Sequence, residues 1–178
     1  SINQESDKFS DLFWDVARKF QGIAEDRQEK VNLSQLLTAE MRFTDFYLSF
    51  KHEVKKNLIF KEDLPDVTGS LADYSLSFFA LIRRAMTAMK NRSTKEFFIS
   101  TDNDGQMVYV LLRDTGLPFS GESLRFVDEL AENADLPTMS SRADGFFDAC
   151  LLLKYHGAQI RLSHDADFNE VVVAIPYR

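Results

Sequence analysis

A single cysteine, Cys150, stands among 178 residues. It leaves no internal disulfide, and a reducing compartment is expected. Cations are in the minority: 21 Lys and Arg face 28 Asp and Glu, a net charge of −7. A chain of that sign repels phosphate backbones, which argues against nucleic acid as a partner. No apolar run approaches the ~18 residues a membrane-spanning helix needs. No leader with a basic start and an apolar stretch is visible. Cytoplasm is therefore the expected location. Repeats and low-complexity linkers are missing too. What remains is ordinary globular material: 44% of residues are apolar and sixteen are Phe, enough to bury a core that a disordered chain would lack. The length suits one domain with a short extra element. The first residue is Ser rather than Met, which leaves room for upstream domains.

The pattern predicts a helix over residues 5–29. Phe9, Phe13, Val16, Phe20 and Ile23 follow one another at 4, 3, 4 and 3 residues, the period of a coiled-coil seam or of an ordinary amphipathic face. Trp14 lies off that seam. This gives residues 1–30 as a dimerisation or partner segment and 31–178 as the main domain. A second helix is expected from about Ser34, capped by Asn32 or Ser34, to about Lys56, ended by Asn57. Leu58-Ile59-Phe60 reads as a short strand and Asp63-Leu64-Pro65-Asp66 as a turn. A helix over 71–91 follows, with Leu76, Phe79, Ile82, Arg83, Ala85, Met86 and Met89 on its inner face. Strands at 97–100 and 107–112 flank the turn Asp102-Asn103-Asp104-Gly105. A polar segment at 114–144 holds a short helix near 121–133. The last elements are a helix over 145–156 and strands at 158–164 and 170–175. Helices alternating with antiparallel hairpins imply a two-layer α/β sandwich, helices on one face of a mixed, largely antiparallel sheet.

The chemistry-bearing signal is the strand Val108–Leu112 running into Arg113-Asp114-Thr115-Gly116. A carboxylate at a strand end accepts a hydrogen bond from an exocyclic amine, and a glycine beside it lets backbone approach a flat ring. Asp-Thr-Gly is also simply a good turn.

Taken in order, several blocks resemble the ATP-binding catalytic domain of sensor histidine kinases, the Bergerat or GHKL fold, over about residues 31–178. Asp63-Leu64-Pro65-Asp66 is similar to the family's turn before its N-box helix. Phe79–Met89 lines up with the N-box helix, and Asp114-Thr115-Gly116-Leu117-Pro118 with the G1 box. Lys154-Tyr155-His156-Gly157-Ala158-Gln159-Ile160 matches the end of the helix after the G2 box, and Ala174-Ile175-Pro176 the closing strand. The resemblance implies ATP and Mg²⁺ as ligands of a functional pocket, with Asp114, Gly116, Gly145 and Arg84 as its nucleotide-side positions.

The departures weigh against such a pocket. Arg84 stands where the family places the Asn that ligates Mg²⁺, and Ala80 where another Asn is common. A guanidinium has five donors and no acceptor, so it does not ligate a hard cation, although it can bind phosphate or form a salt bridge. Pro118 replaces the second G1 glycine and removes a backbone N–H. In the stretch Ser141-Arg142-Ala143-Asp144-Gly145-Phe146-Phe147, only Gly145 is left of the G2 glycines that cradle phosphate. Three readings follow: a degenerate ATPase-like domain of two-component signalling that acts by contact, an active histidine kinase with a divergent pocket, and a phosphotransfer protein with a dead ATPase-like domain. The expected partner is a response regulator, a kinase or an identical chain, with a homodimer through the 5–29 helix. His52, His156 and His164 are the only histidines. His52-Glu53 imitates a phosphoacceptor site, but His52 lies in the domain's own first helix, where a solvated role is expected. No His set has metal-ligand spacing with Cys150, and Cys150 itself reads as core.

Overall fold

The computed structural model describes residues 28–47, 53–133 and 145–178. In chain order the elements are β1 (Glu29–Val31), α1 (Leu33–Tyr47), β2 (Lys55–Ile59), β3 (Val67–Gly69), α2 (Leu71–Met89), β4 (Glu96–Asn103), β5 (Met107–Asp114), α3 (Gly121–Glu132), α4 (Gly145–Tyr155), β6 (Gln159–His164) and β7 (Asn169–Pro176). The expected seam Phe9, Phe13, Val16, Phe20 and Ile23, Trp14 and His52 lie outside the described residues. So do Ser141 to Asp144 of the G2-like stretch.

Five strands form a mixed sheet in the order β2–β4–β5–β7–β6. β2 runs parallel to β4, and the other neighbours are antiparallel. β1 and β3 form a separate antiparallel pair. The four described helices pack on the sheet, giving the two-layer α/β sandwich the sequence implies.

Strand periodicity explains the layer. Phe97 and Ile99 of β4, Val108, Val110 and Leu112 of β5, and Val171, Val173 and Ile175 of β7 are buried at every second position. That alternation is what a sheet with one covered face requires. α2 fills the centre of the helix layer. Tyr74, Phe78, Leu81, Ile82, Ala85 and Met89 join the sheet core, while Leu76 and Ala80 pack on Ala149 and Leu152 of α4. The helix is thus buried on more than the one face its spacing suggests, and Arg83 and Met86 are only half-buried. Ser70 caps it, its hydroxyl accepting from the Asp73 amide at 3.2 Å. Phe78 is fully buried, so truncating it to Ala would cost about 3–5 kcal/mol.

Two expectations are corrected. Lys55 and Lys56 lie in β2 rather than in a helix, and Asn57 sits mid-strand instead of ending one. Apolar content placed the strand at 58–60, but the parallel ladder to β4 recruits the polar residues before it: Lys55 pairs with Glu96 and Ile59 with Ser100. An edge strand tolerates such charge. The short pair β1–β3 was not foreseen either, because three residues carry no usable period. Asn32 is the cap of α1, accepting from the Gln35 amide at 3.1 Å, while its amide donates to the Leu64 carbonyl at 3.0 Å in the expected turn. Ser34 bonds the Lys61 carbonyl and Thr101 instead. The β4–β5 turn is as expected, with Gly105 at φ +99° and Asp104 accepting from the Gln106 and Met107 amides.

Candidate functional site

β5 is the middle strand of the sheet, and its last residue is Asp114. Antiparallel register sets Asp114 opposite Phe97 on one side and Asn169 on the other. The alternation that buries Val110 and Leu112 therefore also turns the Asp114 carboxylate toward the helix layer, where the residue is 3% exposed.

A carboxylate so buried needs donors, and it has three. Arg84 Nη1 donates to Oδ2 at 2.9 Å. The Gly116 amide and Asn169 Nδ2 each donate to Oδ1 at 2.9 Å. Arg84 Nη2 also donates to the Leu117 carbonyl at 3.0 Å. Its guanidinium carbon lies 3.8 Å from the Phe119 ring centroid, a stacking arrangement. Asn169 Nδ2 reaches the carbonyls of Gly116 and Leu117 at 3.2 and 2.9 Å. Its own oxygen lies 2.9 Å from His164 Nδ1, which fixes which end of the amide faces Asp114. The Arg84 and Asp114 side chains are 17% and 4% exposed. Burial pulls the Arg84 pKa down from its ordinary value, and the Asp114 charge and hydrogen bond oppose that pull.

The turn after β5 is locked from several directions. The Thr115 hydroxyl donates to the Thr94 carbonyl and accepts from the Glu96 amide. Arg92 Nε donates to the Thr115 carbonyl at 3.2 Å. The Leu117 amide donates to the Ala88 carbonyl of α2 at 3.0 Å. At Gly116 a Cβ would come within 2.5 Å of the Ala88 Cβ and 2.7 Å of the Ala88 carbonyl carbon. Glycine is therefore demanded here by the approach of α2, with no bound ring required.

Phe119, Phe146, Phe147 and Phe126 form a continuous aromatic row, with successive centroids 6.2, 5.7 and 4.6 Å apart. Gly145 opens α4 immediately before two of these rings. The structure thus brings Arg84, Asp114 and Gly116 together, with Phe119 stacked on Arg84 and Phe146 next to Phe119. Arg84 takes the salt-bridged role rather than a free phosphate-facing one. Asn169 and His164 complete the cluster.

The other candidates are structural. His156 follows the last residue of α4, and its Nε2 lies 2.7 Å from Asp73 Oδ2, joining the end of α4 to the start of α2. Tyr74 packs on the same imidazole, with ring centroids 5.1 Å apart, and burial followed by the Asp73 charge pushes its hydroxyl up to about 12. Cys150 is fully buried in the core. Among the described residues, no three His, Cys, Asp or Glu side chains converge on a metal position. No described helix is long and apolar enough to cross a membrane.

Among the described residues, Arg84 offers a hard cation no oxygen, and the buried Asp114 carboxylate already holds three donors.

No protein-family model matches the sequence, and no curated protein matches it either. Solved structures do match in shape. The nucleotide-free catalytic domain of histidine kinase ThkA superposes with a TM-score of 0.67 at 15% identity, over 85% of this chain and 96% of that one. The mycobacterial sensor histidine kinase MprB gives 0.66 at 12% identity, over 85% and 99%. Acinetobacter baumannii histidine kinase AdeS gives 0.64 at 12% identity, over 91% and 76%. At these identities the likeness establishes the fold: the chain has the α/β sandwich of histidine kinase ATP-binding domains.

Proposed function

We propose that this chain is a degenerate histidine-kinase-like ATPase domain of two-component signalling, one that works in the cytoplasm by protein contact instead of phosphoryl transfer. The observation that carries the reading is the Arg84–Asp114 ion pair. In the histidine-kinase resemblance, Asp114 is the residue that would accept from adenine and Arg84 holds the magnesium-ligand position. Here each satisfies the other. Phosphoryl transfer depends on positioning the nucleotide and neutralising its γ-phosphate, and a pocket closed by its own two key side chains does neither. The retained Gly116, which favours an active kinase when read as sequence, is accounted for by its contact with Ala88.

The contact partner is a response regulator, a kinase or an identical chain, and the segment 5–29 with its 4-3-4-3 apolar spacing is the proposed dimer surface. Isothermal titration of the chain with ATP, with and without magnesium, tests the nucleotide half of the reading. The expected result is no saturable heat up to millimolar ATP. Magnesium-dependent micromolar binding, or transfer of labelled phosphate to any chain, would falsify it.

A further inference from the structure

Away from Asp114, a groove of about 580 Å³ runs along the seam between α3 and the edge strand β6. That volume lies within the ~300–1,000 Å³ range of small-molecule sites. None of its lining residues belongs to the Arg84–Asp114 cluster. Its apolar lining includes Val127 and Leu130 of α3, Ile160 of β6, and Val172 of β7. Two cations line it as well, Lys154 from the last turn of α4 and Arg161 from β6, against one acid, Asp128.

Lys154 is unusual for this molecule, whereas the exposed Arg161 is one of several unpaired surface cations. Several half-buried cations elsewhere are paired: Lys56 with Asp45, Lys95 with Glu53, and Arg113 with Asp165 and Glu170. Lys154 is half-buried too, yet neither it nor Arg161 has a carboxylate partner among the described residues. An incoming anion would give Lys154 the counter-charge it lacks.

We propose that this groove binds a small amphipathic anion, an alkyl or aryl body carrying a carboxylate or comparable acid group. The apolar body lies along the seam, where Ile160 and Val172 are half-buried. The acid group meets Lys154 and Arg161. The charge-assisted contact orients the ligand, and apolar burial supplies most of the affinity. The site is independent of whether nucleotide binds at Asp114.

Decanoate is the probe, titrated into the whole chain below its micelle-forming concentration and followed by calorimetry. Saturable one-to-one binding is expected, with decyltrimethylammonium binding much more weakly. Lys154→Gln and Arg161→Gln should each weaken decanoate roughly tenfold, the loss of one hydrogen bond to a charged group. Ala131 lines the groove and is exposed, so Ala131→Trp should block binding while the circular dichroism spectrum stays that of the parent. The proposal is overturned if decanoate does not bind, if the cationic surfactant binds equally well, or if a folded Ala131→Trp chain keeps the parent affinity.

Discussion

Asp114 is an ionisable residue almost sealed from water, and Arg84 is what makes that position tenable. Removing one partner of such a pair leaves an uncompensated buried charge, which costs about 3–5 kcal/mol. Arg84→Met should therefore destabilise the fold by that order in urea unfolding, with the loss partly recovered in Arg84→Met/Asp114→Asn, where no carboxylate is left bare. If Arg84→Met were as stable as the parent, the pair would be ornamental and the sealed-pocket reading would fail with it. Gly116 offers a separate test. Its missing side chain is where Ala88 approaches, so Gly116→Ala overpacks the turn and should cost about 1–3 kcal/mol. Ala88→Gly clears the contact at 2.5 Å with the Ala88 Cβ, though not the one with the Ala88 backbone. A double-mutant cycle should show partial rescue, and simple additivity would place the strain elsewhere.

Between elements, the contact of α1 with α2 contains a half-buried carboxyl. Glu40 accepts a hydrogen bond from the Ser75 hydroxyl. Burial raises its pKa above the ordinary 4.5, and the Ser75 bond opposes this more weakly. A carboxyl whose folded pKa is raised stabilises the fold in its protonated form. That contribution is complete below the unfolded value and is lost as pH rises through the folded one. The denaturation midpoint should accordingly fall as pH increases above about 4.5, and Glu40→Gln should flatten that slope and be the more stable chain at neutral pH. An unchanged slope in Glu40→Gln would remove Glu40 as its source. The elements themselves were largely legible in the sequence. α2 announced itself by apolar spacing, and β4, β5, β6 and β7 by alternation bounded by Asp- and Gly-bearing turns. The three-residue strands β1 and β3 were not legible, because pairing with each other, not composition, creates them. β2 was misplaced because its polar half is strand only through the parallel ladder to β4. Within the site, Asp114 and Gly116 could be named from the strand that delivers them, and Arg84 from the resemblance to histidine kinase ATP-binding domains. Asn169 could not. It lies 55 residues from Asp114, and only the β5–β7 register makes them neighbours. His164, which orients Asn169, was hidden behind the same fact.

Over the described residues, two of the sheet's four ladders join strands distant in sequence. β2 reaches β4 only after the crossover through α2, and β5 finds β7 only after α3, α4 and β6 have intervened. Such ladders close only after the intervening elements are made, which slows folding relative to a string of local hairpins. Phe13→Asp and Phe20→Asp place charges in the proposed seam and should shift sedimentation velocity from a dimer to a monomer, with the thermal transition of the sandwich unchanged. A parent chain that sediments as a monomer at every concentration would exclude the seam as a self-association surface.

The lone thiol at position 150 has a practical corollary. It is shut inside the core on α4, and no second sulfhydryl competes for reagent. The rate at which a thiol-specific dye modifies the native chain is then a clock for the opening of α4, since a buried sulfhydryl reacts only when its cover is lifted. One chromophore trace would report how often this domain breathes, and a ligand that steadies α4 would slow it.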